Sequence, residues 1–329
     1  MKKVRWGIAG PGNIAKKFAT AVNRLEGVEL CAIASRDAAR GAAFAAEYGV
    51  STVFSSYEEM AASPLVDCVY VATPHPFHKP CAEIFLRAGK HVLCEKPMCV
   101  NTAQAEELIA CAKENNVFLM EAMWTRFLPA TEALLAAIAA GEIGEVRGFT
   151  ADFCYNIEVK EDSKIFRADM AGGGLLDVGV YCLHFAAMLM GTENVELSAA
   201  SRIIDGCDRH TVITARYQNG AIATLTSATD VQKPYDAYIY GSKGHIYIPN
   251  FYGAQGFTVV KGAKSEARTY PSLGAGFEEE ILEASRAVTE GIKESERHPL
   301  SRTLAVLAQM DEIRRAIGVR YPLPGEDRI

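Results

Sequence analysis

The chain has little that would hold a polyanion. No cluster of lysine or arginine is denser than the Lys2-Lys3 pair, and the formal net charge is −6 over 329 residues. Neither nucleic acid nor an anionic membrane surface attracts a net acidic protein that lacks a local basic patch, so neither is expected as a partner. No uninterrupted apolar run reaches the roughly 18 residues of a bilayer span, and no membrane segment is expected. The opening MKKVRWGIAG leads straight into a strand pattern without the apolar core of a secretory signal, so none is expected. Cysteines number nine, an odd count with no C-x-x-C pair. They sit in apolar settings such as Leu93-Cys94, which reads as buried free thiols in a reducing, cytoplasmic compartment. His75, His78 and His91 lack a spacing with other ligands that suits a metal, and no metal is expected.

What is present is ample apolar content, 49% of residues, enough for packed cores. At about 100–200 residues per domain the length implies two. Up to about residue 120, strand-like runs (Val4–Ala9, Val28–Ala34, Thr52–Phe54, Val66–Ala72, His91–Cys94, Val117–Met120) alternate with helical patterns (Asn13–Leu25, Ala38–Tyr48, Tyr57–Ala62, Phe77–Ala88, Ala103–Asn115). The strands are apolar without a period of two, as in a parallel sheet covered on both faces. Alternation of this kind predicts a doubly wound parallel sheet with right-handed crossovers.

After Trp124 the texture changes. A helix near 130–140 leads to a strand near 145–156, a polar loop, the run Gly172-Gly173-Gly174, and a helix from Leu175 to Met190. Consecutive strands follow between about 195 and 260, with a hairpin around Gln218-Asn219-Gly220. Helices return at Phe277–Ile292 and Arg302–Ile317. The fold class is therefore α/β: an N-terminal Rossmann domain over 1–122, then an α+β domain over 123–329 with a large, open, mostly antiparallel sheet and helices on one face.

Four motifs carry chemistry. The first strand runs into Gly10-Pro11-Gly12-Asn13-Ile14-Ala15, which is G-x-G-x-x-A between a strand and a helix. The first glycine permits a tight turn, the second lets backbone approach a pyrophosphate, and Ala15 allows close helix–sheet packing. At the end of the second strand, where an NAD-selective site places a carboxylate on the ribose, stand Ser35 and Arg36, with Arg40 one turn on. A hydroxyl and guanidinium groups suit a 2′-phosphate and favour NADP; Asp37, two residues on from Ser35, keeps NAD open. The fifth strand ends in Glu95-Lys96-Pro97, at the edge where doubly wound sheets bind ligands. Lys96 can hydrogen-bond a reacting oxygen or bias a neighbouring acid. Further on, Asp177, Tyr181 and His184 share one helix face. A tyrosine is a poor acid–base group at its free pKa of about 10 unless a nearby ammonium favours its phenolate.

Together with Ala72-Thr73-Pro74, His78 and the G-G-G-x-L-x-D-x-G stretch, these features resemble the Gfo/Idh/MocA family of oxidoreductases over nearly the whole chain. Within it, Tyr181 in place of the usual histidine, and Glu121-Ala122-Met123-Trp124-Thr125-Arg126-Phe127, are similar to the branch of dihydrodiol and NADP-dependent xylose dehydrogenases. The resemblance implies hydride transfer to or from a carbinol or carbonyl carbon of a sugar, polyol or dihydrodiol. It implies Lys96 and Tyr181 as the acid–base pair, with Asp177 orienting substrate. It implies cofactor contacts from Gly10, Pro11, Gly12, Asn13, Ile14, Ser35, Arg36, Arg40, Thr73, Pro74, His78, Glu95, Lys96, Trp124 and Arg126. Substrate would be lined by Trp124, Phe153, Asp177, Tyr181, Tyr252 and Phe277. It also implies a homodimer, or dimer of dimers, through the C-terminal sheet. An NAD-dependent cyclitol dehydrogenase and a non-catalytic dinucleotide-sensing regulator are the alternatives within the family.

Overall fold

The computed structural model describes residues 3–158 and 163–329, so part of the expected polar loop, 159–162, lies outside the described residues. Two compact units are present. The first contains β1 (Val4–Ala9), α1 (Asn13–Val22), β2 (Val28–Ala34), α2 (Ala38–Tyr48), β3 (Thr52–Phe54), α3 (Tyr57–Ala62), β4 (Cys68–Val71), α4 (His78–Arg87), β5 (His91–Glu95), most of α5 (Thr102–Glu114) and β6 (Leu119–Ala122). Its six strands are parallel in the order β3-β2-β1-β4-β5-β6. Four strands are buried along nearly their whole length, which explains why their sequences show no alternation.

The second unit begins with α6 (Pro129–Ala139) and β7 (Val146–Cys154). A wide turn of π-helix, Leu175–Gly179, continues into α7 (Val180–Met190). Then come β8 (Glu196–Ile204), β9 (Cys207–Arg216), β10 (Ile222–Ala228), β11 (Ala237–Gly241), β12 (Gly244–Ile248), β13 (Gly256–Lys261) and β14 (Lys264–Thr269). The eight strands lie in the order β14-β13-β12-β11-β7-β10-β9-β8, antiparallel except for β7 beside β10. Between β9 and β10 the hairpin turns on Asn219 and Gly220, with Gly220 at φ 82° and the Asn219 side chain accepting from Ala221 N at 3.1 Å. One strand of the sheet was illegible in the sequence: β14 reads Lys-Ser-Glu-Ala-Arg-Thr and has no apolar alternation at all.

The last two helices are α8 (Phe277–Glu290) and α9 (Leu300–Ile317). Leu273–Thr303 belongs to the first unit, not to the sheet-based one. The reason is visible at Trp6 on β1, which is fully buried and donates its indole N–H to Ser285 of α8 at 3.1 Å. Among the described residues one helical stretch, Ala168–Met190, has the length and apolarity of a bilayer span, which the sequence reading did not anticipate. Most of it is buried inside the fold, so its apolarity is that of a core helix. All nine cysteines are buried free thiols.

Candidate active site

The parallel sheet sets the first group of candidates along its carboxyl edge. Ser35 follows β2, Gly10 follows β1, Ala72-Thr73 follows β4 and Lys96 follows β5. The strand order reverses between β1 and β4, the topological switch point where such sheets open a crevice. Gly10 holds φ 97°, and a Cβ there would meet the carbonyl of Ala72 at 3.2 Å. Gly12 caps α1 without any side-chain bond, leaving the amide groups of the first turn, at Asn13 and Ile14, for a ligand. Ala15 is fully buried against the sheet. Beside this loop the Thr73 hydroxyl is buried with no hydrogen-bond partner. A glycine cradle, an uncapped helix start and an orphaned hydroxyl fit a dinucleotide pyrophosphate.

At the end of β2 the Ser35 hydroxyl donates to the Asp37 carbonyl at 2.7 Å. The Asp37 carboxylate, left open as a ribose ligand, accepts from Arg40 N at 3.0 Å and caps α2. Arg40 turns back and donates to the Pro11 carbonyl at 3.3 Å, which brings its guanidinium to the glycine loop. Arg36 is exposed.

Lys96 stands in a clamped turn. Buried Glu95 accepts from the Tyr70 hydroxyl through one oxygen and from Lys96 N at 3.1 Å through the other. The Lys96–Pro97 peptide is cis. Buried His78 places Nδ1 2.8 Å from the Pro97 carbonyl and Nε2 2.7 Å from the Thr73 carbonyl. A neutral imidazole donates to one of these and lies against the other; burial keeps the ring neutral, its pKa pushed down to about 4. Buried Glu121 accepts from Met98 N at 3.0 Å and from the Thr303 hydroxyl at 2.9 Å. His78 and Glu95, expected at the cofactor, each bond to the turn that carries Lys96, His78 at the Pro97 carbonyl and Glu95 at the Lys96 amide. Pro74 leads into the one-turn helix His75–Phe77. Arg126, also read as a cofactor contact, is ion-paired with Glu132. Trp124 and Phe277, far apart in sequence, stack at 5.4 Å between ring centroids.

The remaining candidates lie in the second unit. Asp177 is the middle residue of the wide turn and Tyr181 the second residue of α7; wide turns of this kind recur at functional sites. The Asp177 carboxylate accepts a hydrogen bond from the Tyr155 hydroxyl. Burial first, then the Asp177 charge, pushes the Tyr155 hydroxyl far above its ordinary range, so it remains a donor. Phe153 stacks on Tyr252 at 4.1 Å, and the Tyr181 ring lies 5.3 Å from Phe153 and 5.7 Å from Tyr252. Tyr235 completes the cluster at 5.2 Å from Phe153. The Thr125 hydroxyl donates to the Tyr252 carbonyl at 2.5 Å and fixes that loop. His184, one turn beyond Tyr181, is buried. Tyr155 and Tyr235 were missed in the sequence. Tyr155 stands two residues beyond Phe153, and strand alternation would have placed both on one face.

Residues 4–123 match the model of an oxidoreductase family with an NAD-binding Rossmann fold, and residues 131–247 match the GFO/IDH/MocA C-terminal domain. The chain belongs to the GFO/IDH/MocA oxidoreductase family. It is 38% identical to the trans-1,2-dihydrobenzene-1,2-diol dehydrogenase of Mus musculus and 36% to that of Homo sapiens, over 97% of this chain and 98% of each relative. Among solved structures, a 3-ketoreductase from Actinomadura kijaniata, in complex with NADP and TDP-benzene, superposes with a TM-score of 0.88 at 27% identity, covering 96% of this chain and 98% of that one. An aldose-aldose oxidoreductase from Caulobacter crescentus, complexed with glycerol, also gives 0.88, at 26% identity and 96% and 97% coverage. The chain is thus an NAD(P)-dependent oxidoreductase acting on CH–OH groups.

Proposed function

We propose that the chain is a cytoplasmic, NADP-dependent enzyme that interconverts a carbinol and a carbonyl on a sugar, polyol or dihydrodiol, with Lys96 and Tyr181 handling the proton. The observation that carries this reading is the turn around Lys96, whose backbone is fixed on both sides by Glu95, His78 and Glu121. A lysine so constrained at the carboxyl end of a central strand serves chemistry better than solubility. The bound nicotinamide supplies or takes the hydride. The substrate hydroxyl must then lose or gain a proton. Tyr181 carries that proton, while the Lys96 ammonium stabilises charge developing on the substrate oxygen. Asp177, held by Tyr155, orients the substrate. Aromatic rings at Phe153, Tyr252, Trp124 and Phe277 suit the flat faces of a sugar or dihydrodiol. The dihydrodiol dehydrogenases, the ketoreductase and the aldose oxidoreductase support this substrate class. Residues 1–122 serve the cofactor, and 123–329 the substrate and assembly. Nicotinamide turnover assayed against aldoses, osones, cyclitols and dihydrodiols tests the reading; a chain that binds NADPH and turns over none of these classes contradicts it.

The NADP preference rests on Asp37, which is committed to capping α2, and on the guanidinium groups of Arg36 and Arg40 on either side of it. Arg36→Ala is expected to weaken NADP(H) by about 1.5–3 kcal/mol, as for a hydrogen bond to a charged group, and to leave NAD(H) nearly unchanged. Arg40→Ala should weaken both cofactors, because it also frees the Pro11 carbonyl. Calorimetric dissociation constants check this; equal affinity of the parent protein for NADP and NAD contradicts it.

Assembly follows from the outer face of the open sheet. A row of Ser198, Thr214, Thr224, Thr150, Tyr238, Tyr247 and Thr258 crosses seven strands in register. All are exposed or half-buried, with Ile222 and Tyr240 protruding beside them. A broad face of tyrosine, threonine and isoleucine fits a copy of itself about a two-fold axis. The expected result of light scattering at micromolar protein is a dimer or tetramer; a monomer overturns it.

A further inference from the structure

The three glycines 172–174 do no chemistry in this scheme, yet the first two admit no side chain. A Cβ on Gly172 would lie 2.6 and 2.7 Å from the carbonyls of Ile165 and Lys164. On Gly173, at φ 125°, it would lie 2.1 Å from Asp208 Oδ1, and on Gly174 it would lie 3.4 Å from Asp208 Oδ2. The backbone is thus pressed against one carboxyl group from β9. Asp208 is fully buried. Its Oδ2 accepts from the backbone N–H of Leu175 at 2.7 Å and from the Thr211 hydroxyl at 3.1 Å, and its Oδ1 has no partner.

Leu175 opens the wide turn that carries Asp177, and the residue at its cap, Gly174, has no side chain to satisfy the first amide. Asp208 supplies that cap from another strand. Among the described residues it makes no ion pair. Arg209 beside it lies over the Phe166 ring at 3.8 Å, and Arg314 of α9, the cation whose field reaches it, is bonded to Glu326 and Asp311. Tyr321 and Cys207 are the other titratable groups facing it. Burial accordingly pushes its carboxyl up to about 7. A buried, unpaired carboxyl costs stability. Its placement under the turn that leads to Asp177 and Tyr181 gives it another purpose.

We propose that Asp208 is a positioning residue: by capping Leu175 it fixes the wide turn and so sets where Asp177 and Tyr181 project. This rests on the roles given to Asp177 and Tyr181 above. Asp208→Ala leaves the Leu175 amide unpaired, whereas Asp208→Asn keeps an acceptor of the same length. Thr211→Val, which removes only the hydroxyl on Asp208, is the milder variant should the alanine form not fold. The readouts are NADPH affinity, amide exchange at Leu175–Gly179 of the NADPH-bound protein, and kcat and KM at saturating NADP⁺ with trans-1,2-dihydrobenzene-1,2-diol or, where a carbonyl compound of the assay panel is turned over fastest, at saturating NADPH with that compound. Small misplacements of reacting groups cost on the order of 10²-fold, so Asp208→Ala should lower kcat by up to that factor. Exchange at Leu175 should speed up and NADPH affinity should hold. Asp208→Asn should recover most of the rate, and Thr211→Val should lose less than Asp208→Ala in the same direction. Unchanged exchange at Leu175 overturns the proposal. So does faster exchange with full kcat. In that case Tyr181→Phe separates the two readings: if it is inactive, only the positioning role falls; if it too keeps full kcat, the role of Tyr181 falls as well.

Discussion

Lys96→Met is expected to lower kcat by at least the 10²–10⁴-fold typical of general acid–base catalysis. Methionine matches the length and apolar stem of lysine but has neither charge nor donor. The turn itself should survive, because the groups that hold it bond to backbone or to each other. Glu95 takes Lys96 N, Glu121 takes Met98 N, and His78 sits between the Pro97 and Thr73 carbonyls. The glycine loop, Ser35 and Arg40 are untouched. The loss should therefore appear in kcat and kcat/KM together, the signature of an interaction made in the transition state. A variant with normal kcat and raised KM would make Lys96 a binding residue only.

Tyr181→Phe is the second large effect. It removes one hydroxyl from a buried ring that lies 5.3 Å from Phe153 and 5.7 Å from Tyr252, so packing is retained. If Tyr181 carries the proton, kcat should fall by about 10²–10⁴-fold, and the limb of the pH–rate profile that reports its ionisation should disappear. NADPH affinity should not change. The proposed mechanism gives both Lys96 and Tyr181 a part in the proton transfer, so pH–rate profiles of both variants are needed to assign the proton to one of them. Full kcat with an unchanged profile in Tyr181→Phe would leave Lys96 as the acid–base group alone.

Much of the first unit was legible because its signals are local. The β1 glycine loop, the bounds of β1, β2, β3, α2 and α3, and the Glu95-Lys96-Pro97 turn all follow from runs of neighbouring residues. What the sequence could not show depends on partners distant along the chain. The partners that Glu95 and His78 take, Tyr70 and the Lys96 amide for one and the Pro97 and Thr73 carbonyls for the other, could not be read from the motifs they flank. Leu273–Thr303 looked like the end of the second domain, but Trp6 draws α8 onto the parallel sheet. The helix from Leu175 was expected, whereas its wide first turn was not, since that turn depends on Asp208 of β9. The stack of Trp124 on Phe277 joins two weak sequence signals that only tertiary structure brings together.

The most direct test of the account follows the hydrogen itself. NADPH deuterated at C4, on each face in turn, is supplied with carbonyl forms of the panel compounds, and the product alcohol is analysed by mass spectrometry and NMR. The expected result is deuterium on the new carbinol carbon from one face only, with a primary isotope effect on kcat/KM that persists in Tyr181→Phe. Turnover that leaves no deuterium on that carbon from either face would contradict hydride transfer and, with it, the roles given to Lys96 and Tyr181.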